Sequence, residues 1–173
     1  MCNINMLYFL VAVLVCVFVS EDFKSGYAKN LFAVRSQKID YVFSKTLVTF
    51  VGAVIMFLMY FIGAMIGGAI AGLPFTMEGF SAGGVVACLF SKIFIIAVFV
   101  SLSLLLSVIA KQKLWLSIVG SFAAGMLLFT MIPMIAPLNA SLLNVIMCLA
   151  GGTIFAVGIG AVSNVVLNKT SLV

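Results

Sequence analysis

Long uninterrupted runs of apolar residues constrain the fold of this chain more than any other feature. Runs such as VAVLVCVFV and IFIIAVFVSLSLLLSVIA contain no charged residue. Of the 173 residues, 65% are apolar and 8% are charged, whereas a soluble domain is about half apolar and about a quarter charged. Lipid must therefore be the solvent for most of the chain. Barrel strands alternate apolar and polar residues, and these runs do not. The sequence predicts an all-α integral membrane protein.

Five apolar segments reach, or nearly reach, the length of about 20 residues that a membrane span needs. They cover residues 4–19, 46–73, 93–110, 114–135 and 142–167. The first is slightly short, but no Lys or Arg precedes it and SED is a poor cleavage site, so we interpret it as a span rather than a signal peptide. We expect five transmembrane helices in a single domain over residues 1–173.

The positive charges divide the connections between these segments into two sides. All nine Lys and Arg residues except Lys92 fall in residues 21–45, in the turn after the third segment, or in the C-terminal tail. With five spans these regions share one side, which the positive-inside rule places in the cytoplasm. We therefore expect the N-terminus outside and the C-terminus inside. The net charge of +5 follows from this topology, and we expect no nucleic-acid partner.

Other features of the spans are expected to serve packing and anchoring. Lys92 starts the third segment at the outer surface, where it could snorkel to the headgroups or act as a functional intramembrane lysine. The outer loop over residues 74–92 predicts a turn followed by a short interfacial helix near residues 80–90. The GxxxG spacing of Gly63 and Gly67 predicts close packing between helices.

Residues 21–45 form the only charged segment of any length. Its apolar residues recur at helical spacing: Phe23, Tyr27, Leu31 and Val34. The spacing predicts a short amphipathic helix, or a helix pair bent near Gly26 or Ser36, at the cytoplasmic surface. A simpler interpretation is a positive-inside anchor with no further role.

The order of residues in this segment resembles the permease subunits of ABC-2 type transporters. The pattern is E-D at the end of one span, then G-x-x-K-N-L, a basic residue, and Y-x-x-S-K before the next span. It comprises Glu21, Asp22, Gly26, Lys29, Asn30, Leu31, Arg35, Tyr41, Ser44 and Lys45. The resemblance is closest to the branch that exports, or confers resistance to, peptide antibiotics such as lantibiotics and bacitracin, and the later span pattern agrees with it.

The resemblance implies a role for this segment. In that family the stretch lies between the second and third of six spans and forms a cytoplasmic coupling helix that docks into a groove of a separate ATP-binding subunit. The residues expected to bind that partner are Glu21, Asp22, Phe23, Gly26, Tyr27, Lys29, Asn30, Leu31 and Arg35. A bacterial plasma membrane and pairing with a second permease, as a homodimer or heterodimer, are also implied. The family's first span has no counterpart here, so we expect that a full-length form carries one more span upstream.

The sequence offers little for catalysis. It contains no GxxxxGK[ST] motif, so ATP hydrolysis would reside in the separate subunit. It has no His, and its four cysteines show no CxxC spacing. We expect no enzyme activity, no cofactor and no metal site. Two other functions remain open: the substrate-binding membrane subunit of an energy-coupling-factor vitamin importer, and a non-transport immunity or scaffold protein.

Overall fold

The computed structural model describes residues 7–34, 38–72, 82–110, 113–135 and 141–169. These residues form six α-helices: α1 (Leu7–Lys24), α2 (Tyr27–Val34), α3 (Lys38–Ile70), α4 (Ala82–Ala110), α5 (Leu114–Ile135) and α6 (Leu142–Lys169). No β-strand occurs in the described part of the chain.

Three of these helices, α3, α4 and α6, are long and apolar enough to cross a membrane. Their apolar stretches belong to helices of 28 to 33 residues, which exceeds the length of about 20 residues that a bilayer requires. Helix α1 has 18 residues but ends on Glu21, Asp22 and Lys24. In α5 a shorter apolar stretch is described, Leu114–Leu127. The structure therefore agrees with an all-helical membrane protein, and five spans stay a prediction.

Helices α3 and α4 begin well before the apolar segments that predicted them. Helix α3 begins at Lys38 rather than near residue 46, and Asp40 in its first turn suits the positive end of the helix dipole. Helix α4 is continuous from Ala82, so residues 82–90 belong to it and do not form the separate interfacial helix predicted there. No Pro interrupts this stretch, and the Ser91 hydroxyl donates a hydrogen bond to the Ala87 carbonyl of the same helix at 2.9 Å.

Helix α4 is central to the packing and contacts α1, α3, α5 and α6. Helix α1 presents two adjacent buried rows toward its neighbours, spaced by four residues: Leu7, Val11, Val15 and Val19, and Tyr8, Ala12, Cys16 and Ser20. Helices α4 and α6 lie close together at Gly152, where an added Cβ would lie 3.0 Å from the Phe94 carbonyl oxygen. Small residues at such crossings allow close helix packing where lipid removes the hydrophobic driving force.

Among the described residues, the glycines that the sequence singled out for packing, Gly63 and Gly67, make no close helix contact. A Cβ added at Gly63 or Gly67 would meet no described atom within 4 Å. Close approaches instead occur at Gly152 and at Gly125, which faces the Phe99 ring. The GxxxG spacing of α3 therefore lies on a face that these helices leave uncovered.

Most basic residues gather at one end of the bundle. This basic end is where α1, α4 and α6 finish and where α3 and α5 begin; it carries Lys24, Lys38, Lys45, Lys113 and Lys169. The Lys38 ammonium donates to the Leu167 carbonyl at 2.7 Å, which ties the start of α3 to the last turn of α6. A cation suits the exposed carbonyls at a helix C-terminus.

Candidate functional site

The candidate site is the junction where α1 ends, α2 lies across the basic end, and α3 begins. A sharp turn separates α1 from α2 because Gly26 has φ of +75°, a conformation that side chains with a Cβ adopt at a cost. The Ser25 amide donates to the Glu21 carbonyl at 2.9 Å, and the Asn30 amide donates to the Gly26 carbonyl at 3.0 Å. The first bond lies at the end of α1 and the second at the start of α2. The break between the two helices confirms the bend predicted near Gly26.

A charged pair fastens α1 to α3 at this junction. The Lys45 ammonium lies 2.6 Å from Asp22 Oδ2, and both side chains are only 14% exposed. The Tyr41 hydroxyl donates to the same Asp22 oxygen at 2.9 Å. One carboxylate from α1 therefore receives two donors from α3, and hydrogen bonds to charged groups are stronger than neutral ones.

Aromatic rings surround this pair. The Tyr41 ring meets Phe23 edge-on with centroids 6.4 Å apart, and Phe32 of α2 edge-on at 5.2 Å. The Lys45 ammonium also lies 3.7 Å from the Phe18 ring centroid. Edge-to-face pairs and cations over ring faces are favourable geometries. Tyr41 therefore joins all three helices, since it contacts α1 through Phe23 and α2 through Phe32.

A pocket of about 150 Å³ opens between α2 and the start of α3. Its lining combines apolar, aromatic and charged side chains: Tyr27, Leu31, Phe32, Asp40, Tyr41, Ser44 and Lys45. An apolar cavity of about 150 Å³ accommodates a benzene-sized group. The pocket therefore matches one aromatic or branched aliphatic side chain in size, with polar groups at its edge.

The predicted partner-binding residues do not share one environment. Asp22 and Phe23 face inward, with Phe23 only 7% exposed, and they hold the junction together. The exposed residues are Glu21, Tyr27, Lys29 and Asn30, with Tyr27 52% exposed. Leu31 is half-buried and lines the pocket. Gly26 forms the turn, and Arg35 lies outside the described residues.

Sequence reasoning did not include Phe18, Phe32 or Asp40 among the site residues. Phe18 belongs to an apolar run, and nothing in the pattern distinguishes it from a lipid-facing residue. Phe32 is one residue beyond Leu31, off the apolar face on which the helical spacing was counted. The one available indication was charge: Asp22 ends a span and Lys45 precedes the next, so the two could have been paired across the junction.

Outside the junction, Lys92 is largely covered by the neighbouring helices. Its side chain belongs to the buried core, 9% exposed, and the Tyr8 hydroxyl lies 3.4 Å from its carbonyl oxygen. Snorkelling to the headgroups and a role as a functional intramembrane lysine both stay predictions for Lys92. Among the described residues, no group of three His, Cys, Asp or Glu is placed to hold a metal ion.

In comparisons with known proteins, no family model matches this sequence, and no curated protein or solved structure matches it. A functional proposal must therefore rest on the geometry of the junction and on the order of residues in the sequence.

Proposed function

We propose that this chain is the permease subunit of an ATP-driven ABC exporter of the ABC-2 type. Its five apolar segments would cross a bacterial plasma membrane, with the N-terminus outside and the basic end in the cytoplasm. It would work as a homodimer or heterodimer with a second permease, beside a separate subunit that hydrolyses ATP. The substrate class suggested by the resemblance is a peptide antibiotic or another amphipathic molecule.

The observation that supports the proposal is that α2 exposes one face and packs against the neighbouring helices with the other. An element that transmits movement from a soluble ATPase must expose a surface for docking and be fixed to the spans on its other side. Helix α2 meets both requirements, because Tyr27 is exposed while Phe32 packs against Tyr41 of α3. A simple positive-inside anchor requires charge alone and explains neither the pocket nor the aromatic contacts.

The docking mode we propose combines a helix with a pocket. The exposed face of α2 would lie in a groove of the ATP-binding subunit, as amphipathic helices do in helix-in-groove recognition. A single apolar side chain of that subunit would enter the pocket beside Leu31. Aromatic anchors in such interfaces commonly contribute about 2 kcal/mol or more, so a few contacts around Tyr27 would dominate binding.

Binding can be tested with a charge-matched pair of variants. Replacing Tyr27 and Leu31 with Asp lowers the net charge by two, and so does the single change Lys24→Asp at an exposed position outside the proposed face. Co-purification with an ATP-binding subunit that carries a Walker A motif, and ATP hydrolysis by the complex, are measured for each. We expect the double variant to lose both and Lys24→Asp to retain them.

The double Asp variant could misfold, since Leu31 also packs against the core. A second variant therefore tests binding without changing Leu31. Tyr27→Ala removes an exposed ring and should weaken binding at least about ten-fold without reducing the amount of protein in the membrane. If the ATPase co-purifies normally with both Tyr27→Ala and the double Asp variant, α2 is an anchor and the coupling role is wrong.

The proposed topology predicts which residues a membrane-impermeant thiol reagent can reach in intact cells. Single cysteines are introduced at Ser141 and at Lys169 in a background without the native cysteines. We expect labelling at Ser141 from outside and at Lys169 only after the membrane is permeabilised. Labelling of both positions from the same side would contradict five spans.

A further inference from the structure

Near the basic end, a set of small polar side chains is buried on α1, α4 and α5. We call this set the serine cluster; every member is at most 1% exposed: Cys16, Ser20, Ser103, Ser107, Ser117 and Ser121. Its α1 members adjoin the α1–α2–α3 junction along the chain, but the proposed function does not use them.

The register of α1 and α5 brings Ser20 and Ser117 face to face. Cys16 Sγ and Ser121 Oγ are 3.3 Å apart, and the two helices run antiparallel because α1 ends where α5 begins. Ser20 follows Cys16 by four residues, and Ser117 precedes Ser121 by four. One helical turn along both helices in the same direction therefore places Ser20 and Ser117 opposite each other.

Helix α4 completes the cluster from a third side. The Phe99 ring packs against Tyr8 of α1, with centroids 5.5 Å apart, and it also borders Gly125 of α5. Phe99 therefore faces the groove between α1 and α5. Ser103 and Ser107 follow it by one and two turns on the same face, toward the basic end.

Three hydroxyls of this cluster lack the partner that buried serines of helices usually find. Elsewhere in α4, the equally buried Ser101 donates to the Ala97 carbonyl four residues earlier, at 2.9 Å. Within the cluster, Ser107 does the same to the Ser103 carbonyl at 2.8 Å. The hydroxyl oxygens of Ser20, Ser103 and Ser117 have no hydrogen-bond partner among the described residues. Small residues serving only close packing would satisfy their hydroxyls on their own helices.

We propose that the serine cluster is an internal binding site for water molecules, which would hydrogen-bond to the hydroxyls of Ser20, Ser103 and Ser117. A buried hydroxyl without a partner is costly, and a water molecule with two to four polar neighbours removes that cost. Water fits better than an alkali cation because the six cluster side chains carry no carboxylate, and a buried charge without one is far more costly than a neutral ligand. The water would form a polar bridge between α1 and the α4–α5 hairpin.

The first test detects the water through Cys16, which belongs to the cluster and is fully buried. Radiolysis of the purified protein in detergent produces hydroxyl radicals from bound water in place, and mass spectrometry locates the oxidised side chain. We expect oxidation of Cys16 in the native protein and in Ser101→Ala. In the variant with Ala at positions 20, 103 and 117, we expect Cys16 oxidation to fall to the level of an unirradiated sample. An unmodified Cys16 in the native protein would overturn the proposal.

The second test uses stability, and it needs only single substitutions if the triple variant does not fold. With bound water, Ser103→Ala breaks the bridge and should lower the folded-to-unfolded equilibrium constant roughly five- to ten-fold, more than Ser101→Ala does. If the hydroxyls are unsatisfied and the site is dry, Ser103→Ala removes a cost and raises that constant, which would overturn the proposal. Stabilisation of the native protein by sodium or potassium over choline would also overturn it, in favour of a cation site.

Discussion

The ion pair between Asp22 and Lys45 should determine how firmly α1 and α3 are joined at the junction. Asp22→Ala removes the acceptor of two donors, Lys45 and Tyr41. It leaves the Lys45 ammonium over the Phe18 ring without its Asp22 partner. Asp22→Asn is the milder change, since an amide oxygen can still accept the Tyr41 hydroxyl.

The expected cost follows from how much of the pair remains exposed. Breaking a buried pair by removing one partner costs about 3–5 kcal/mol, whereas an exposed pair contributes about 0–1 kcal/mol. Because both side chains are 14% exposed, we expect about 2–3 kcal/mol for Asp22→Ala. For Asp22→Asn we expect about 1–2 kcal/mol, since one hydrogen bond survives.

A double-mutant cycle separates the pair from its surroundings. The free energy of unfolding is measured in mixed micelles with increasing SDS for Asp22→Asn, Lys45→Met and the double variant. We expect a coupling energy of about 1–2 kcal/mol, with Lys24→Met as an exposed control that changes stability by less than about 0.5 kcal/mol. If the two single effects add within about 0.5 kcal/mol in the double variant, the pair contributes nothing and the reasoning is wrong.

Two glycines test the helix packing and the turn. At Gly152 the added Cβ would meet backbone atoms of Phe94 at 3.0 Å and 3.4 Å, so Gly152→Ala should force α4 and α6 apart and cost about 1–3 kcal/mol in SDS unfolding. Gly151→Ala, where nothing lies within 4 Å, should cost nothing, and equal effects at both positions would contradict the packing. Gly26→Ala should cost about 1–2 kcal/mol because its φ is +75°; faster deuterium exchange in α2 checks this, and unchanged exchange would contradict it.

The elements of the fold followed from the sequence better than their ends did. Apolar runs gave the existence and approximate centre of each long helix. They missed the first two turns of α3, because Lys38, Asp40 and Lys45 are polar and apolarity was the only criterion applied. Helix ends at a bundle surface are defined by hydrogen bonds and charges, as at Gly26 and Lys38, and hydropathy does not report these.

The candidate site was predictable as a segment but not as a three-dimensional arrangement. Residues 21–45 stood out by charge alone, and the spacing of Phe23, Tyr27 and Leu31 indicated one apolar face. That single face did not distinguish a ring turned toward the bundle from a ring turned outward. Phe23 belongs to α1 and Tyr27 to α2, with the Gly26 turn between them. The change of direction at this turn places Phe23 in the core and leaves Tyr27 exposed. Residue spacing counted along one continuous helix cannot predict such a change of direction.

This division bears on what α2 would have to do in the coupling role we propose for it. A helix that used all its apolar residues to bind its partner would have none left to pack against its own spans. A movement of the partner would then bend the connecting turns and would not move the spans. Here Asp22 and Phe23 connect the end of α1 to α3, so the turn at Gly26 starts from a fixed point. Phe32 makes a second attachment near the other end of α2. A force applied at Tyr27 would therefore act between two attachments and reach α1 and α3 together, which is why loosening either attachment should uncouple ATP hydrolysis before it prevents binding.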